Sequence, residues 1–171
     1  MTIIETLLQE LEQEVQTTRR VLERVPDAQL GWKPHPKSMS LGQLALHIAI
    51  VPGGVAEMAA APGLDEPPQF AHPSAQSAAE LVPALEESVA KARRVLSGMD
   101  DRQAMETWTL RSGDQVLLTM PRAALLRSIM LNHWYHHRGQ LSVYLRQLNV
   151  PLPSIYGPSA DENPFAARAV A

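Results

Sequence analysis

The stretch PRAALLRSIMLNHWYHHRGQLSVYLRQL, residues 121–148, reads as roughly seven turns of helix, opened by Pro121 and free of proline from there on. Its inward stripe, at spacings of three and four, is Leu125, Ile129, His133, His137, Leu141, Tyr144 and Leu148. His133 and His137 are four positions apart, which sets their Cβ atoms about 5–6 Å from each other on one face. That spacing suits two ligands on one metal ion. The stripe is otherwise apolar, so both imidazoles are expected inside, where unpaired polar groups are costly. His136 falls about 100° further round and belongs to the next face.

Three further helices are expected upstream. From Thr2 to about Val25 the residues Ile4, Leu7, Leu11, Val15 and Leu22 form an amphipathic stripe that Pro26 ends. Ser40 is a candidate N-cap for LGQLALHIAIVPGGVAEMAA, residues 41–60, whose inward face would be Leu44, His47, Ile48 and Val51. Within it, Pro52-Gly53-Gly54 is expected to kink or interrupt the helix. Residues 62–76 carry four prolines and little periodicity, an ordered excursion or a loop. Ser77 with Glu80 forms a capping-box pattern before Leu81, Leu85, Val89, Ala92 and Leu96, with Pro83 early in that helix. TWTLRSGDQVLLTM, residues 107–120, has β-type residues about Ser112-Gly113-Asp114 and reads as a short hairpin or extended loop. The expected fold is therefore all-α, a four-helix bundle with helices near 2–25, 40–61, 77–97 and 121–148 and a proline-rich tail over 149–171, forming one domain over 1–171.

Composition narrows the function. A chain of 171 residues with 45% hydrophobic and 19% charged residues can bury a core of its own, and no run approaches the about 18 uninterrupted apolar residues of a membrane span. The formal net charge is −3 and no basic block exists to neutralise phosphates, so nucleic acid is not an expected partner. Cysteine is absent, which removes disulfides, thiolate ligands and a protein thiol nucleophile together. Any nucleophilic sulfur would arrive with a substrate. The N-terminal MTIIETLLQELEQE is acidic and amphipathic, unlike a secretory signal, so the cytoplasm is the expected compartment.

His47 sits alone on the inward stripe of the second helix. If that helix neighbours the last, His47 meets His133 and His137 across the interior, giving three neutral imidazoles and an open fourth position, the arrangement of a catalytic metal site. A histidine on an apolar stripe is more often a hydrogen-bonded core residue, and spacing alone leaves both readings open. A zinc-protease helix would need a glutamate where Trp134 or His136 stands, so that reading lacks its general base. His35 and His72 lie in proline-rich loops and receive no role. Gln43 and Tyr144 are candidates for orienting the ligands, and Arg138 for attracting an anionic substrate, although a surface or interhelix ion pair is the plainer role for Arg138. Trp32, Trp108 and Trp134 read as packing residues before pocket residues.

The string NHWYHHRGQL (132–141), with WKPHPKSMSLGQLALH (32–47) and IYGPSADE (155–162), resembles the DinB/YfiT-like family of metal-dependent enzymes over nearly the whole chain. The resemblance implies an up-down-down-up four-helix bundle that binds a divalent metal, nickel or zinc, through His47, His133 and His137. It also implies a homodimer and, by analogy with some relatives, a low-molecular-weight thiol as cosubstrate. Such a site would serve a thiol S-transferase or a hydrolase acting on a small molecule, with bound thiol or water activated by the metal. A noncatalytic metal-binding stress-response protein and a bundle for protein association are the alternatives. The first of these would fill or seal the fourth position, and the second would hold no stoichiometric metal.

Overall fold

The computed structural model describes residues 1–69 and 71–166. Residue 70, within the expected excursion, and residues 167–171 of the expected tail lie outside the described residues.

Helix α1 (Ile3–Leu22) is opened by Thr2, whose side chain accepts from the Glu5 amide while Glu5 returns to the Thr2 amide. It ends three residues before the expected Val25. The residue ahead of Pro26 is disfavoured in helical geometry, and the Arg24 and Val25 amides instead bond the carbonyls of Val21 and Leu22 in a tighter turn. Helix α2 (Leu41–Ala60) has the same reciprocal cap from Ser40 and Gln43. By length and composition alone α2 could cross a membrane, but its apolar residues are used inside this fold, against α3 and the last helix. Helix α3 (Leu81–Ser97) follows a single tight turn over Ala78–Glu80. The expected capping box is not formed there: Ser77 accepts from the Ala79 amide, while Glu80 accepts from the Gln76 amide. Pro83 sits in the first turn of α3, where its missing N–H costs nothing.

An all-α fold was expected, and the structure corrects it to a mostly helical fold with a small three-stranded sheet. After α2 comes β1 (Gly63–Leu64), and after α3 the short α4 (Asp101–Ala104), β2 (Thr107–Ser112) and β3 (Gln115–Pro121). The hairpin of β2 and β3 was legible, with Gly113 in the left-handed region at φ +57°. The parallel pairing of β1 with β2 was not. Two residues have no periodicity to read, and the pairing depends on Gly63, where a Cβ would lie 2.3 Å from the Thr109 carbonyl oxygen.

The last helix has three parts: α5 (Arg122–Leu125), a π-helical segment over Leu126–Asn132, and α6 (His133–Gln147). Its wide turn ends where His133 begins, and such segments recur at functional sites. It also moves Leu126 and Met130 fully inside, while Ile129 is only half buried.

The helices interlock through named pairs. Ion pairs Glu12–Arg93 and Arg19–Glu86 join α1 to α3. Ser88 of α3 accepts from the Gly53 amide at 2.8 Å and donates to the Ile50 carbonyl at 3.0 Å on α2. Arg138 of α6, 1% exposed, pairs with Glu14 of α1 at 2.6 Å and donates to Thr18 Oγ1 at 3.1 Å. Contrary to expectation, Pro52 does not interrupt α2. Proline lacks the N–H that would bond the Ile48 carbonyl, and the Trp134 indole donates to that carbonyl instead, at 2.8 Å.

This substitution of partners predicts a coupling. Trp134→Phe leaves the Ile48 carbonyl buried without a donor and should cost about 1–3 kcal/mol in urea unfolding. In a Pro52→Ala background the new amide at position 52 takes that carbonyl, so the same change should cost less. Strict additivity in this double-mutant cycle would show that the proline and the indole act independently.

Candidate metal centre

His47, in the second turn of α2, and His133 and His137, at the start of α6, converge on one point. Their ligand-capable nitrogens all lie within 4.8 Å of one another. The ring centroids are 5.3 Å apart for His47–His133, 4.7 Å for His47–His137 and 4.4 Å for His133–His137. The Nε2 atoms of His133 and His137 are 2.8 Å apart. Nitrogens sharing one tetrahedral zinc at about 2.0–2.1 Å stand about 3.3 Å from each other, above the 2.8 Å of the His133–His137 pair and inside the 4.8 Å limit that holds for all three.

The protonation pattern suits ligation. His137 Nδ1 lies 2.9 Å from Gln140 Oε1, a contact in which Nδ1 would donate and leave the Nε2 lone pair to a cation. His47 Nε2 is buried with no hydrogen-bond partner among the described residues, a costly state for a core histidine and a useful one for a ligand. Burial, and then the neighbouring imidazoles of His137, His133 and His72, push the His47 pKa from the ordinary 6.5 to about 4. Burial likewise lowers His133, with the Ile129 carbonyl opposing, and lowers His137, with Gln140 opposing. All three imidazoles are therefore neutral at neutral pH and free to bind a cation.

A cleft of about 600 Å³ opens beside this group. His47 and His133 stand in its wall, and most of the remaining lining is apolar, from Ile50, Val51, Val55 and Met58 of α2 and from Ile129. His72 had no role assigned from sequence, yet it also lines the cleft, with its ring centroid 5.6 Å from that of His47. Gln43 Nε2 donates to the His72 carbonyl at 2.9 Å. Gln43 thus anchors the excursion carrying His72. Gln140 was also missed, although three positions beyond His137 on a helix is a spacing at which side chains meet.

The other candidates fall elsewhere. Tyr144 packs edge-on against Trp32 and donates to the Met39 carbonyl at 3.4 Å, away from the three histidines. Arg138 is a buried interhelix ion pair, further held by the Tyr156 hydroxyl at 2.6 Å. Trp108 and Trp134 are buried packing residues whose indoles donate to backbone carbonyls. His136 is exposed, and His35 accepts from the Lys37 amide in its loop.

A mostly helical fold with three convergent imidazoles at the edge of an apolar cleft defines a class of small helical protein able to hold a metal ion between its helices. The DinB family model matches residues 1–164, and the chain belongs to that family. It is 25% identical to the uncharacterized protein YrdA of Bacillus subtilis (strain 168), over 93% of this chain and 91% of that protein. The crystal structure of a DinB-like protein from Bacillus cereus ATCC 10987 superposes with a TM-score of 0.68 at 23% identity, covering 89% of this chain and 97% of the other. That of the DinB-like protein YjoA from Bacillus subtilis gives 0.65 at 20% identity, covering 88% and 96%. These two likenesses establish the fold.

The lowered imidazole pKa values carry a sign. Near pH 6.5 the unfolded chain takes up protons that folded His47 accepts only near pH 4, so metal-free protein should lose stability as pH falls through that window. Urea midpoints at pH 7, 6 and 5 check this, and a His47→Asn variant should show a shallower decline. Equal declines would assign the pH dependence to other groups.

Proposed function

We propose that this chain is a metal-dependent enzyme in which His47, His133 and His137 hold one divalent ion, nickel or zinc, and a small molecule occupies the cleft beside them. The observation that carries the reading is the convergence of His47, His133 and His137 within 4.8 Å, with His47 Nε2 buried and without a hydrogen-bond partner among the described residues. A core role for these histidines would have given that nitrogen a partner. An ion held there supplies Lewis acidity and lowers the pKa of a bound water or thiol. His47, His133 and His137 stay neutral and orient their donors, Gln140 holds the tautomer of His137, and the apolar walls exclude water.

The cleft favours an enzyme over a noncatalytic metal binder, because His47 and His133 open onto space sized for a small ligand. The reaction in this reading is thiol S-transfer or hydrolysis. With no cysteine in the chain, the sulfur of a transferase would come from a low-molecular-weight thiol. The up-down-down-up order belongs to the same reading. It is supported by α2 and α3 meeting in parallel order through Ile50, Gly53 and Ser88 and then Glu57 and Lys91, and by α1 meeting α3 in antiparallel order through its ion pairs. A cytoplasmic homodimer completes it, and the exposed apolar run Val116, Leu117 and Leu118 on β3 is a surface that a second copy would cover.

Metal analysis by mass spectrometry of untagged protein tests the reading. Wild type should carry about one metal per chain, and His133→Ala should lose most of it while keeping its helical circular dichroism. A wild type that holds no metal after exposure to zinc and nickel would sink the proposal.

A further inference from the structure

The shape of the cleft says more about its ligand than the metal site does. Its α2 wall runs from His47 to Met58, about 16 Å of helix. The imidazoles stand at one end of that length, and the body between is apolar. Two charged side chains among the described residues line it, both on α3. Lys91 is already paired with Glu57 at 3.2 Å, and Glu87 contributes an exposed negative charge at the mouth. Away from the imidazole end, an anionic ligand would find no unpaired cation among the described residues of these walls and would meet Glu87.

Gly54 points the same way. Glycine inside a helix costs about 1 kcal/mol relative to alanine. Its neighbour Gly53 has a packing reason, since a Cβ there would lie 2.6 Å from the Ser88 carbonyl oxygen. Gly54 has none among the described residues: a Cβ would meet nothing of theirs within 4 Å, and Gly54 lines the cleft. A side chain at this position would subtract from the ligand volume without disturbing the fold.

We infer that the cleft takes an elongated, uncharged and mostly apolar small molecule whose single polar head, an oxygen or sulfur donor, lies at His47 and His133. The head rests on the metal reading above, whereas the apolar body rests on the cleft alone. In this arrangement the body gives affinity by leaving water, and the imidazole end sets which group reacts.

The test compares acetohydroxamate with octanohydroxamate, which share a metal-binding head and differ in chain, by calorimetry on zinc-loaded protein whose zinc content is read separately by mass spectrometry. The longer probe should bind wild type at least about 100-fold more tightly, since each buried methylene contributes severalfold. Gly54→Phe should cut that preference below about tenfold while leaving zinc content and acetohydroxamate affinity unchanged. Ala84→Phe, from the opposite wall, should do the same, and thermal unfolding confirms that each variant is folded. Equal affinities for the two probes on zinc-loaded wild type would overturn the apolar class and leave the metal reading standing. A chain-length preference that survives both substitutions would also overturn it, by placing the chain elsewhere. Protein that takes up no zinc, yet binds 1-octanol in a manner lost in Gly54→Phe, would support the apolar class and overturn the metal reading alone.

Discussion

A backbone carbonyl with no amide to meet sets the geometry of this molecule. Pro52 removes the donor for Ile48 in the middle of α2, and an unpaired buried carbonyl costs about 1–3 kcal/mol. The Trp134 indole, fully buried on α6, fills that place at 2.8 Å. Ile48 follows His47 and Trp134 follows His133. The bond that repairs the helix therefore also fixes the register at which the histidines of two helices face each other. A slip of one residue between α2 and α6 would break the bond and separate the imidazoles at once.

A second support lies one turn further along α6. Arg138 follows His137 and is held by Glu14, Thr18 and the Tyr156 hydroxyl, with its guanidinium near the faces of Tyr135 and Tyr156. Breaking one partner of such a buried pair is far costlier than the net worth of the pair, so α6 resists rotation about its axis. His133 and His137 are thus gripped between a hydrogen bond to α2 and an ion pair to α1. Rigid placement of donors is what a metal site requires from its scaffold.

Much of this was legible because it is periodic. The helical stripes, the hairpin about Gly113 and the four-residue step from His133 to His137 follow from local spacing, and the meeting with His47 followed once α2 and α6 were neighbours. The unread parts depend on partners far away in the chain. For Arg138 an interhelix ion pair was the plainer reading, but its partners Glu14 and Tyr156 are not adjacent in sequence, and His72 looks like loop until Gln43 holds its carbonyl. The π-helical segment over Leu126–Asn132 leaves no trace in composition, because its residues are ordinary helix formers. Tyr144 fitted the stripe but packs on Trp32, since a stripe gives the inward face and not the neighbour on it.

The run Pro52-Gly53-Gly54 is poor helix material, summing to about 5 kcal/mol against alanine by host propensities. Tertiary contacts must offset that, and each residue shows a different use. Pro52 surrenders the Ile48 carbonyl to Trp134, and Gly53 lets α3 approach so that Ser88 can bond both its amide and the Ile50 carbonyl. Gly54 packs against nothing and leaves the cleft wall bare. The first two convert a local weakness into contacts that tie α2 to α6 and α3. The third makes no such contact among the described residues and leaves its part of the cleft wall open to a ligand, which a contact-free glycine away from the cleft, such as Gly139 of α6, does not do.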